Sequence, residues 1–183
     1  MPAAMLMASL QGSLRTLISA GFRGSELIRK LNHYLCRNTP DNRLVTLFYG
    51  ELNLFTGTLR YVNAGHNPPF WLQTEGELEL LEATGMALGI VEEPTISEQT
   101  IQLKPAEQLL LYTDGISEAL NKRLEAFGEE RLTESLLRHK KLSPRDLVRT
   151  LVKDVQSFAA PVKQSDDMTL MVVRRQPPPP GSS

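Results

Sequence analysis

The chain has 183 residues, with 20 Lys and Arg against 21 Asp and Glu for a formal net charge of −1, and 41% of the residues are apolar; this suits one globular domain rather than a disordered chain, and the scattered basic residues form no phosphate-neutralising stripe, so no nucleic-acid partner is expected. The single cysteine, Cys36, rules out an internal disulfide and a zinc knuckle and reads as a small apolar residue on a helix. No apolar run reaches about 18 residues and Met1 to Leu10 has no basic leader, so no membrane span or signal peptide is expected and the chain is read as cytoplasmic.

Leu6, Leu10, Leu14, Leu17 and Ile18 recur at three- and four-residue spacing and predict an amphipathic helix from Pro2 to Ala20, ended by Gly21 and Gly24. Ser25 is the expected N-cap of a second helix to about Arg37, with Leu27, Ile28, Leu31, Tyr34 and Leu35 on its buried face. Strands follow: Leu44 to Tyr49 and Thr58 to Val62 form a hairpin around Asn53 to Gly57, and Pro69 to Gln73, Leu78 to Leu81, Thr100 to Leu103 and Gln108 to Tyr112 are short strands divided by Gly and Pro. Helices return at Gly128 to Arg138 and at Pro144 to Phe158, the second with Ser143 as N-cap, Pro144 at its first position and Asp146 at the capping-box position. Met168 to Arg174 closes as a strand, and residues 177–183, with four successive prolines, read as an extended, disordered tail. This order predicts an α+β fold with antiparallel sheet.

Three segments place polar residues where the apolar pattern does not require them. Leu109-Leu110-Leu111-Tyr112-Thr113-Asp114-Gly115 delivers Asp114 to a strand end, where a carboxylate suits a hard cation, with Glu118 four residues on; the same Asp-Gly pair also serves as a plain turn. Asp166 and Asp167 stand at the mouth of the last strand, and such a repelling pair is easiest to place if one faces a cation and the other faces water or caps the backbone; acidic loop residues ahead of a strand are the plainer reading. His66, in Asn63-Ala64-Gly65-His66-Asn67-Pro68-Pro69, is either an acid, base or ligand or, the favoured reading, part of a turn whose side chains hydrogen-bond the backbone.

In this order the segments resemble the metal-dependent serine/threonine phosphatases of the PPM (protein phosphatase 2C-like) family, closest in look to the bacterial SpoIIE/RsbU type. The resemblance runs through Pro2-Ala3-Ala4-Met5-Leu6-Met7-Ala8, Thr46-Leu47-Phe48-Tyr49-Gly50, Tyr61-Val62-Asn63-Ala64-Gly65-His66-Asn67-Pro68-Pro69, Gly85-Met86-Ala87-Leu88-Gly89-Ile90, Leu111-Tyr112-Thr113-Asp114-Gly115, Phe127-Gly128-Glu129-Glu130-Arg131-Leu132 and Asp166-Asp167-Met168-Thr169. It implies two antiparallel sheets sandwiched between helices over residues 1–176, with two Mn²⁺ or Mg²⁺ ions. By the same resemblance Asp114 and Asp166 are the catalytic metal ligands and Glu118 is an auxiliary metal ligand. The ions would activate a water for attack on phosphoserine or phosphothreonine.

The implied substrate is an anti-sigma-factor antagonist in a partner-switching pathway, under the control of an upstream sensor domain acting on the first two helices. In the family a strand, a bridging Asp and a Gly-Lys-Gly or Gly-His-Gly turn precede the Pro-Ala-Ala block, whereas this sequence opens at Met1-Pro2. The expectation is therefore a phosphatase domain incomplete at its N-terminus, with weak metal affinity and an exposed sheet edge open to homodimerisation. The alternative is a non-catalytic module that keeps the fold and binds a phosphoprotein or sigma-regulatory partner.

Overall fold

The computed structural model describes residues 3–39, 43–164 and 166–176. The expected tail at 177–183, and Pro2 at the head of the first helix, lie outside the described residues. In chain order the elements are α1 (Ala3–Ser19), α2 (Gly24–Asn38), β1 (Leu47–Leu52), β2 (Thr58–Ala64), β3 (Phe70–Leu72), β4 (Leu78–Leu80), β5 (Gln99–Gln102), β6 (Gln108–Tyr112), α3 (Asp114–Ser117), α4 (Gly128–His139), α5 (Pro144–Ala159) and β7 (Leu170–Arg174). The strands form two antiparallel sheets, ordered β1-β2-β5 and β4-β3-β6-β7, so the α+β expectation holds. The chain divides into two compact units, Met1–Pro68 with Glu82–Leu103 and Pro69–Leu81 with Lys104–Ser183, each holding one sheet with its own helices. Among the described residues no helix is long and apolar enough to cross a membrane.

In the first unit, Leu6 and Leu10 of α1 and Leu27, Ile28, Leu31 and Leu35 of α2 pack with Val62 and Ala64 of β2 and with Leu88 and Ile96. Each fully buried leucine or isoleucine there contributes about 1.5–3 kcal/mol of transfer free energy. Gly21 ends α1 at φ 93°, with its N–H on the Ile18 carbonyl and the Phe22 N–H on Leu17, the paired bonds of a Schellman stop. Ser25 is not the N-cap of α2. The helix begins one residue earlier, at Gly24, whose N–H donates to Glu51 Oε1 at 3.1 Å, and the Ser25 hydroxyl instead accepts from Arg29 at 2.8 Å. Asn32 is fully buried, because its amide donates to the Val91 and Glu92 carbonyls and its oxygen accepts the Gly89 N–H, whereas Tyr34 is half-buried. The first hairpin is also shifted: β1 runs to Leu52, and Val45 exchanges backbone hydrogen bonds with Leu88 instead of extending the strand.

In the second unit, the inward side chains of the four-stranded sheet, Phe70, Leu72, Leu110 and Tyr112, pack on Ile116 of α3, Leu132 and Leu136 of α4, and Leu147, Leu151 and Val155 of α5. Ser143 caps α5 as the sequence predicts: its hydroxyl accepts the Asp146 N–H at 3.2 Å and donates to the Asp146 carboxylate at 2.6 Å. The single turn α3 is absent from the sequence expectation. It starts at Asp114, where a turn was expected, and is too short to carry a periodic signal. The last strand begins at Leu170, two residues later than expected, since Met168 and Thr169 complete the loop after α5.

Candidate active site

Antiparallel pairing sets the geometry of the site. Strand β6 runs toward Asp114 and β7 runs away from Asp166-Asp167, so the register Tyr112 to Leu170 places the end of one beside the start of the other. Two threonines extend the ladder past the strands. The Thr113 N–H donates to the Thr169 carbonyl at 3.1 Å, the Thr113 hydroxyl accepts the Thr169 N–H at 3.1 Å, and that hydroxyl donates to the Asp167 carbonyl at 3.3 Å. Gly115 then lies flat against the second segment: a Cβ there would stand 2.9 Å from the Asp167 carbonyl carbon and closer still to its oxygen. Gly115 thus makes room for the Asp167 backbone.

Asp114 and Asp166 are held alike. Oδ1 of Asp114 accepts the Gly115 N–H at 2.9 Å, and Oδ1 of Asp166 accepts the Asp167 N–H at 2.7 Å. Both side chains are exposed, and neither Oδ2 has a hydrogen-bond partner among the described residues. The Gln164 amide donates to the Asp166 carbonyl at 2.6 Å and ties down the loop. Exposed Glu118 lies one turn beyond Asp114, its N–H on the Asp114 carbonyl at 2.7 Å.

The chemistry of these donors fits a hard divalent cation: carboxylate oxygens, outward facing, on two segments locked together by backbone hydrogen bonds. Among the described residues, no group of three or more His, Cys, Asp or Glu side chains converges into a metal cluster. The Asp114 and Asp166 segments thus meet at one carboxylate-bearing edge, which Glu118 does not join in a three-carboxylate cluster among the described residues. Tyr112, whose hydroxyl donates to Glu129 at 2.7 Å, braces the strand beneath Asp114 from α4. Sequence reasoning left Thr113, Thr169 and Gln164 without a role; the signal was their position, immediately flanking the acidic residues.

His66 lies in the other unit and takes the turn-forming reading. Its N–H donates to the side chain of fully buried Asn63 at 2.8 Å, and its Nδ1 is 3.2 Å from the Thr46 hydroxyl. Gly65 holds φ 68° there, pressed against the Ala87 backbone.

Comparison with known proteins places these features. The family model described as Stage II sporulation protein E (SpoIIE) matches residues 1–176. Phosphoserine phosphatase RsbU of Bacillus subtilis is 26% identical over 176 residues, which cover 94% of this chain and 51% of that protein, so the chain spans about half the length of this relative. The crystal structure of the RsbU and RsbW domains of Rv1364c from Mycobacterium tuberculosis superposes with a TM-score of 0.77 at 26% identity, covering 97% of this chain and 49% of that one. The Mn-presoaked phosphatase domain of SpoIIE from Bacillus subtilis superposes with a TM-score of 0.67 at 22% identity, over 93% of this chain and 75% of that one, and shares the fold.

Proposed function

Because the chain belongs to the SpoIIE family, we propose that it hydrolyses phosphoserine or phosphothreonine on a regulatory protein with the help of a divalent cation, Mn²⁺ or Mg²⁺. The observation that carries this reading is the junction of β6 and β7, which sets the Asp114 and Asp166 segments side by side with one carboxylate oxygen of each directed away from the backbone. Asp114 and Asp166 would hold the cation, with Glu118 as an outer carboxylate. When bound, the cation supplies charge neutralisation at the phosphoryl oxygens and acidifies water. The chain's own contribution is placement. The Gly115 and Asp167 backbone amides fix the carboxylate orientations, and the threonine pair fixes the spacing of the two segments.

The phosphoprotein in this reading is an anti-sigma-factor antagonist of a bacterial partner-switching pathway, supported by the likeness to RsbU and to the paired RsbU and RsbW domains of Rv1364c. A sensor segment acting on α1 and α2 belongs to the same proposal. The test is phosphate release from a phosphoserine protein by the full chain, with Mn²⁺ and then with chelator. Turnover that requires Mn²⁺ and falls on the order of a hundredfold or more in Asp114→Asn supports it; turnover indifferent to chelator sinks it. A second reading, a module that binds the phosphoprotein without hydrolysing it, draws on the lack of a three-carboxylate cluster among the described residues. Binding of the phosphoprotein with no phosphate release under any metal would favour that module.

A further inference from the structure

The carboxylate edge shares a wall with a pocket that the reaction itself does not use. The pocket has a volume of about 280 Å³ and lies between the loop after α5 and the turn after α3; Gly115, Ala119 and Leu120 form one side, and Gln156, Val162 and Met168 the other. Its lining is largely apolar, and small residues keep it open: Ala159 and Ala160 end α5 there, before Pro161 turns the chain. Two of the large apolar side chains that face solvent, Leu120 at 36% and Val162 at 40% exposure, stand at its mouth. Apolar surface gathered around a concavity marks a place that another apolar group covers.

Its position specifies the occupant. Gly115 in the wall is covalently next to Asp114, Met168 is two residues past Asp166, and Gln164, also in the wall, holds the Asp166 carbonyl. An extended peptide advances about 3.3 Å per residue, so a chain with its phosphorylated residue at the carboxylate edge passes this mouth within a few residues. Lys163 is on the rim, exposed and with no carboxylate partner among the described residues, a cation suited to a phosphorylated segment. We infer that the pocket is a specificity subsite that receives an apolar side chain flanking the phosphorylated residue of the protein substrate, with Lys163 facing the phosphate charge. This inference rests on the phosphatase reading and names what that site selects.

The experiment uses the full chain and alanine- and glycine-based phosphoserine peptides in which one leucine is moved through the positions on either side of the phosphoserine. Binding is measured by calorimetry with Mn²⁺ present, using the non-hydrolysable phosphonate analogue of each phosphoserine peptide so that no turnover intervenes, and the unphosphorylated forms. One leucine position should raise affinity roughly tenfold. Gln156→Trp, on the exposed face of α5, should erase that gain by covering the mouth, Val162→Glu should erase it by charging the rim, and Gln156→Ala should preserve it. Lys163→Ala should weaken the phosphonate peptides alone. A gain at no position, or one that survives both Gln156→Trp and Val162→Glu, overturns the inference. Mn²⁺-dependent phosphate release from the leucine-free phosphopeptide is measured in parallel. If release fails while the leucine gain and its loss in Gln156→Trp stand, the phosphatase reading falls and the binding subsite is supported.

Discussion

Glu51 in the first unit and Asp166 in the second are both carboxylates beside a backbone N–H, and they are held in opposite ways. Glu51 engages both oxygens: Oε1 accepts from the Tyr49 hydroxyl at 2.6 Å and from the Gly24 N–H at 3.1 Å, and Oε2 accepts from Arg60 at 2.8 Å. Burial pushes its carboxyl up, but these hydrogen bonds outweigh it and hold it below the ordinary value. Asp166 accepts one N–H, from its own neighbour, and is exposed, with no donor to its second oxygen among the described residues. A carboxylate with every acceptor filled by its own fold is a fastening; one filled on a single side is available for chemistry. The composition of the chain does not tell the two apart, and the hydrogen-bond partners do.

The contrast breaks first at Asp166. Asp166→Asn should lower Mn²⁺-dependent phosphate release on the order of a hundredfold or more while leaving the unfolding midpoint within about 0.5 kcal/mol of the parent, read by turnover and urea denaturation on the same preparation. Gly115→Ala should damage both readouts, because the added methyl strikes the Asp167 backbone rather than a yielding side chain; a loss of about 1–3 kcal/mol in stability is expected, with loss of turnover. Glu51→Ala should do the reverse of Asp166→Asn. It leaves the Gly24 N–H and the Tyr49 hydroxyl without their acceptor, for about 1–2 kcal/mol by urea midpoint.

The smallest effect is a pH dependence. Burial, and then the bond to Glu51, push the Tyr49 hydroxyl up to about 12. A folded pKa above the ordinary value of about 10 means the folded chain retains a proton that the unfolded chain releases, so the stability from Tyr49 is full below pH 10 and fades as pH rises to about 12. The stability difference between the parent and Tyr49→Phe should therefore shrink across that window, and a difference constant with pH would contradict the assignment.

Much of this was legible from residue pattern. The four long helices read from apolar spacing and from Ser143, and β6 matched its predicted bounds, since a run of Gln108-Leu109-Leu110-Leu111-Tyr112 between polar turns has one natural extent. Positions decided by distant partners were not legible. Ser25 has the chemistry of a cap, but Glu51 takes the helix N-terminus from another element, and Asn32 looks like a surface residue until the Gly89 loop closes over it. The two aspartates could be singled out one at a time, while their adjacency depends on the pairing of β6 with β7, a long-range contact that local periodicity does not encode.

That pairing has a thermodynamic consequence. Helices α4 and α5 separate the two aspartates along the chain, and the two come together at the edge only when β7 is docked on β6. Any ligand that needs both carboxylates binds the docked state alone, and by linkage its occupancy deepens that state by RT ln(1 + [L]/Kd). Ligand saturation should thus slow amide hydrogen exchange in β7, making the last strand a reporter of an event at the edge beside it.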